Sequence, residues 1–280
     1  MIHSSLPRLY FLHIPKTSGT AFGGWLRRLY DVEKSFPWYD YHQLSGHTLE
    51  EMQGFDLYAG HFGRALPDLL DHPVETVTFL RDPLERLASL IHYTLYEVKL
   101  DPENKHGKEL QAIRESSHPF EGMAEAAPHV PEFQNGQTHE LTKTWPLRRY
   151  LNSDNQLDLN LATFRDECET PTAGQQLDVA ISFLDTLSAV GICEQSQTSL
   201  EQFCRVLDLP LENPLQLERT TQGRKGGAWQ QDYWFQRLNP DLKRKLETLI
   251  ELDRELYQHA LTRFETEQRA MTKTISLPPE

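Results

Sequence analysis

The feature that most constrains this chain lies near its start. Leu9-Tyr-Phe-Leu-His-Ile14 is a short apolar and aromatic run bounded by Pro7 and Pro15. Such a run between breakers reads as a buried strand. A turn of small and polar residues follows at Pro15–Gly19, and then Phe22, Leu26 and Leu29 recur at helical spacing. Strand, tight turn and helix in that order commit the chain to a layered α/β arrangement.

The rest of the chain extends the pattern. Phe55–Gly60, the β-branched stretch Val74–Leu80 and Ala189–Cys193 read as further strands. Helices are predicted from Pro83 to about Val98, with proline in the first turn, and over Leu177–Leu187 and Ser199–Leu207. One long helix is expected from Pro240 to about Phe264, and a short one near Leu49. Residues 101–144 differ in character, being rich in Glu, His, Pro and Gln and poor in large aliphatics. They read as an inserted cap or lid, because a passive connection of that length is unusual in a compact domain. The expectation is a single domain over residues 1–280, with a central, mainly parallel sheet flanked by helices.

Composition narrows the functional classes. The formal net charge of −13 disfavours wrapping of nucleic acid or a sulfated polysaccharide. No apolar run approaches the roughly 20 residues needed to cross a bilayer. Met1–Arg8 lacks the pattern of a secretory signal. The cysteines, Cys168, Cys193 and Cys204, are odd in number and scattered, which fits neither a disulfide framework nor a zinc site. A cytoplasmic protein is expected.

The turn between the first strand and helix carries the chemistry. His13-Ile-Pro-Lys-Thr-Ser-Gly-Thr20 opens a helix whose N-terminus favours an anion. Gly19 permits close backbone approach, Lys16 supplies a mobile cation, and Thr17, Ser18 and Thr20 add donors. The order of residues is not GxxxxGK[ST], since the lysine precedes the glycine. Magnesium-dependent ATP chemistry is therefore disfavoured, and no metal is expected.

This string resembles the 5′-phosphosulfate loop of the sulfotransferase superfamily, nearest to its 2-O-sulfotransferase-like branch. Two other strings extend the resemblance. In Phe79-Leu-Arg81 through Ser89, an arginine ends a strand and a serine follows eight residues later, as in the family's 3′-phosphate site. Gly223-Arg-Lys-Gly-Gly227 is similar to the loop that closes over that phosphate, although the usual Gly-Asp-Trp continuation is Gly-Ala-Trp here. The resemblance implies a P-loop-like sulfotransferase fold. It also implies that Lys16, Thr17, Ser18, Gly19, Thr20, Arg81, Ser89, Arg224, Lys225 and Gly226 bind 3′-phosphoadenosine 5′-phosphosulfate (PAPS), with 3′-phosphoadenosine 5′-phosphate as product.

Sulfuryl transfer needs a base for the acceptor hydroxyl and a cation for the leaving phosphate. Lys16 suits the second role. Of the 12 histidines, His61 in Tyr58-Ala-Gly-His-Phe62 ends the second strand, at the edge where such sheets bind ligands. This segment also resembles one that supplies the base in 2-O-sulfotransferase-like enzymes, whereas His13 reads as structural. The chain is similar in size, loops and cap to sulfotransferase domains of olefin-forming polyketide synthases. That similarity implies a β-hydroxyacyl chain on an acyl carrier protein as acceptor, with a thioesterase acting next. Arg27-Arg28 or Arg148-Arg149 would then dock the acidic carrier. Carbohydrate and small-molecule alcohols are alternative acceptors. A P-loop kinase and a non-catalytic nucleotide-binding module are competing classes.

Overall fold

A computed structural model describes residues 6–99, 105–144, 146–159, 171–172, 174–211 and 238–275. Four strands form the sheet: β1 (Leu9–Leu12), β2 (Leu57–Gly60), β3 (Glu75–Leu80) and β4 (Ala189–Ile192). All pair in parallel, in the order β2-β1-β3-β4. Every residue of β1, β2 and β4 is buried, which explains their continuous apolar character.

The helices described are α1 (Gly19–Leu29), α2 (Ala65–Leu69), α3 (Pro83–Tyr96), α4 (Lys105–Glu115), α5 (Pro119–Ala126), α6 (Gly136–Thr142), α7 (Gln176–Thr186), α8 (Ser196–Val206), α9 (Pro240–Thr248) and α10 (Glu251–Ile275). Side chains of β1 alternate between two cores. Leu9 and Phe11 join Phe22, Trp25, Leu200 and Phe203, so α1 and α8 cover one face. Tyr10 and Leu12 join Ala180, Leu184, Leu256 and Phe264, so α7 and α10 cover the other. A third cluster packs Leu87 and Ile91 of α3 against Met123 and Ala124 of α5 and Leu242 and Leu246 of α9.

Several expectations need correction. The residues around Leu49 form turns, and the short helical turns lie instead at Val32–Lys34 and Tyr41–Leu44. The helix expected from Pro240 to Phe264 is two helices, broken at Leu249–Ile250. Asn135 explains the break: its N–H donates to Leu249 O at 2.6 Å, and its side-chain Oδ1 accepts the N–H groups of Leu252 and Asp253. A side chain distant in sequence thus caps α10. Residues 101–144 are largely helical where described. Their last helix, α6, is built into the core, with Gln137 and Thr138 fully buried.

The strand order makes β1 and β3 the switch point, where connections leave in opposite directions; open parallel sheets bind ligands at the carboxyl edge of such a point.

Candidate active site

The residue after each strand lies on that edge. Across the sheet these are His61 after β2, His13 after β1, Arg81 after β3 and Cys193 after β4. The turn after β1 therefore runs between an imidazole on one side and a guanidinium on the other.

The turn has an unusual backbone. Lys16 and Ser18 adopt left-handed conformations, with φ of 71° and 65°. Such non-glycine strain persists only where surroundings impose it, and it tends to collect at functional sites. Alternation of left- and right-handed residues is the geometry by which successive N–H groups form an anion-binding hollow. Thr17 is fully buried, and its hydroxyl donates to Ile14 O at 2.8 Å, so that group braces the turn from within. Thr20 is exposed, while Ser18 caps α1 and its hydroxyl meets the Cys193 thiol. Burial pushes that thiol up to about 12, so Cys193 is a neutral packing group.

Gly19 is demanded by contact. A Cβ there would lie 1.7 Å from His13 Nε2. The His13 ring is thus a floor under the turn. Its Nδ1 bonds the Tyr39 hydroxyl, and its ring stacks on His61 with centroids 4.5 Å apart. Burial, then the charges of His61, Lys16 and Arg27, holds His13 well below the ordinary imidazole range, so it stays neutral.

His61 is more open than His13. Its N–H donates to Tyr39 O at 2.8 Å, and its Nδ1 faces His13 O at 2.7 Å. Burial lowers its pKa, and the Glu140 carboxylate opposes that shift most strongly. Glu140 pairs with Lys143 at 2.5 Å, and its Oε2 is buried without a hydrogen-bond partner among the described residues.

The cations meet the turn from the α3 side. Lys16 Nζ lies 4.4 Å from the centre of the Tyr93 ring. Arg81 donates to Lys16 O at 3.4 Å and pairs with Glu85 at 3.3 Å. Arg86, almost wholly buried, donates from Nε to Pro15 O at 3.1 Å. Ser89 is buried two turns into α3.

Lys16, Thr17, Ser18, Gly19, Thr20, Arg81 and His61 therefore belong to one region. Arg224, Lys225, Gly226 and Trp229 lie outside the described residues. Tyr39, Arg86, Tyr93 and Glu140 complete the region but carry no sequence signal, because long-range contacts bring them there. Among the described residues no group of three or more His, Cys, Asp or Glu could hold a metal, and no helix is long and apolar enough to cross a membrane. No protein-family model matches this chain, and no curated protein matches it significantly.

Proposed function

We propose that this protein is a sulfotransferase that moves a sulfuryl group from PAPS, its donor substrate, to an acceptor hydroxyl. One observation carries the reading: a turn with left-handed Lys16 and Ser18 at the switch point of a parallel sheet, flanked by Arg81 and by the His61 imidazole, whose pKa burial lowers. A phosphate-binding turn with one cation suits many nucleotides. A second cation for another phosphate and a base at the same edge suit transfer to an alcohol.

The chemistry follows from the groups. The turn's N–H groups and Lys16 hold the 5′-phosphosulfate and stabilise charge growing on the leaving phosphate. The planar fork of Arg81, together with Ser89, takes the 3′-phosphate. His61 accepts the hydroxyl proton while the acceptor oxygen bonds to sulfur and the sulfur–phosphate oxygen bond breaks. 3′-Phosphoadenosine 5′-phosphate leaves as product.

The acceptor is proposed to be a β-hydroxyacyl chain on an acyl carrier protein. Arg27 and Arg28 are exposed on the last turn of α1, and the charge of Arg27 reaches His13 and Tyr39. Arg148 and Arg149 are exposed too, but Arg148 donates to Asp68 O at 2.6 Å. The first pair is thus the better candidate for docking an acidic carrier.

The test compares Lys16→Ala and Arg81→Ala with the parent. Lys16→Ala should lower both turnover and nucleotide affinity. Arg81→Ala should weaken 3′-phosphoadenosine 5′-phosphate and leave adenosine 5′-phosphate affinity nearly unchanged. Equal weakening of both nucleotides would remove Arg81 from the 3′ site.

A further inference from the structure

Gln137 is polar and fully buried, and its side chain closes a ring with the backbone of Arg81. Arg81 N–H donates to Gln137 Oε1 at 2.9 Å, and Gln137 Nε2 donates to Arg81 O at 2.9 Å. Arg81 is one residue past the end of β3, where the sheet no longer satisfies its backbone. An amide side chain thus does there what a neighbouring strand would do.

Gln137 is itself held from behind. The buried Asp253 carboxylate at the start of α10 accepts the N–H groups of Gln137 and Thr138, at 3.1 and 2.7 Å, and the Thr138 hydroxyl at 2.8 Å. These contacts satisfy the first N–H groups of α6. Its charge faces Arg86, whose guanidinium lies so close to Gly136 that a Cβ there would fall 2.4 Å from it. The same Arg86 donates to Pro15 O in the anion-binding turn.

We infer that Gln137 is a positioning residue for the phosphate anchor Arg81, through which α6 and α10 set how the enzyme recognises a 3′-phosphate. The inference rests on Arg81 being that anchor. It assigns Gln137 no contact with nucleotide. The amide fixes the Arg81 backbone, so the guanidinium starts from one place beside the turn. Without it, two partly buried backbone groups lose their partners and Arg81 becomes free to shift.

The experiment measures, by calorimetry, the ratio of affinities for 3′-phosphoadenosine 5′-phosphate and adenosine 5′-phosphate. Gln137→Met preserves the side-chain length but removes both bonds, while Gln137→Asn stays polar but is too short to make both. Each should reduce the ratio about tenfold, the effect of losing hydrogen bonds to buried groups. Thr138→Val, which removes a bond to Asp253 without touching Arg81, should lower the melting temperature and keep the ratio. A folded Gln137 variant that keeps the parent ratio overturns the inference, as does Thr138→Val reducing it equally. A parent protein with no preference for the 3′-phosphate would instead show that Arg81 is not the anchor. Should neither Gln137 variant fold, hydrogen exchange on the parent decides. Slow exchange at the Arg81 amide is expected, and fast exchange contradicts the ring.

Discussion

His61 turns its Nδ1 onto the backbone carbonyl of His13, 2.7 Å away. A carbonyl oxygen only accepts, so Nδ1 carries the proton and Nε2 carries the lone pair. The ring is further fixed by stacking on His13, which is itself bonded to Tyr39. The imidazole proposed as base is thereby held in one tautomer and one orientation at the edge of the sheet.

His61→Ala should reduce turnover by roughly 10²–10⁴-fold, the range for loss of a general base, with nucleotide affinity unchanged. Because burial lowers the imidazole pKa, the acid limb of the rate profile should fall below the ordinary value of 6.5. Glu140→Gln should move that limb lower still, since the Glu140 charge favours the protonated ring. Steady-state rates between pH 5 and 8, taken as about the range in which histidine titrates, would show both effects.

Glu85→Gln should tighten binding of 3′-phosphoadenosine 5′-phosphate. Glu85 pairs with Arg81 at 3.3 Å and competes with an incoming phosphate for the same fork. The pair is partly exposed, so the gain should be roughly two- to fivefold, within the range for such ion pairs. Calorimetry would measure it. Weaker binding would mean that Glu85 orients Arg81 rather than competing for it.

Gly19→Ala should destabilise the fold by about 1–3 kcal/mol, the usual cost of overpacking, because its Cβ would enter the His13 ring. Gly24→Ala in the same helix meets nothing within 4 Å, so it should stabilise by up to about 1 kcal/mol through helix propensity. Chemical denaturation of the two variants would distinguish contact from propensity.

Stability should decline as pH falls below 6.5. His13, His61 and His139 all have pKa values lowered by burial, so the unfolded chain binds more protons than the folded one in that window. Stability therefore rises with pH through the window and is lost on acidification. Raised carboxyl values at Asp253 and Glu85 oppose this only nearer the carboxylate range. Thermal midpoints across pH 5–8, taken as about the imidazole range, should show the decline, with a shallower slope in His13→Gln.

The strands were legible because a parallel sheet buries both faces, which leaves unbroken apolar runs such as Leu9–Leu12 and Ala189–Ile192. The residue following each run falls on the carboxyl edge of the sheet, so His61 and Arg81 could be picked out as well, and Lys16 through the turn that leads from β1 into α1. Helix α6 was not legible as core. Gln137 and Thr138 are polar, and their burial is tolerated only because Arg81 and Asp253, distant in sequence, satisfy them. The break before α10 was hidden likewise, since Asn135 lies in another helix's cap. Local periodicity carries no trace of such pairings.

The most direct measurement is mass spectrometry of acceptor alcohols incubated with this protein and PAPS. β-Hydroxyacyl carrier protein, carbohydrate and small-molecule alcohols would be tried in parallel. One acceptor should gain the mass of a single SO₃ group, 3′-phosphoadenosine 5′-phosphate should appear in equal amount, and His61→Ala should abolish both. Transfer to none of them, with neither PAPS nor its product bound, would contradict the sulfotransferase reading.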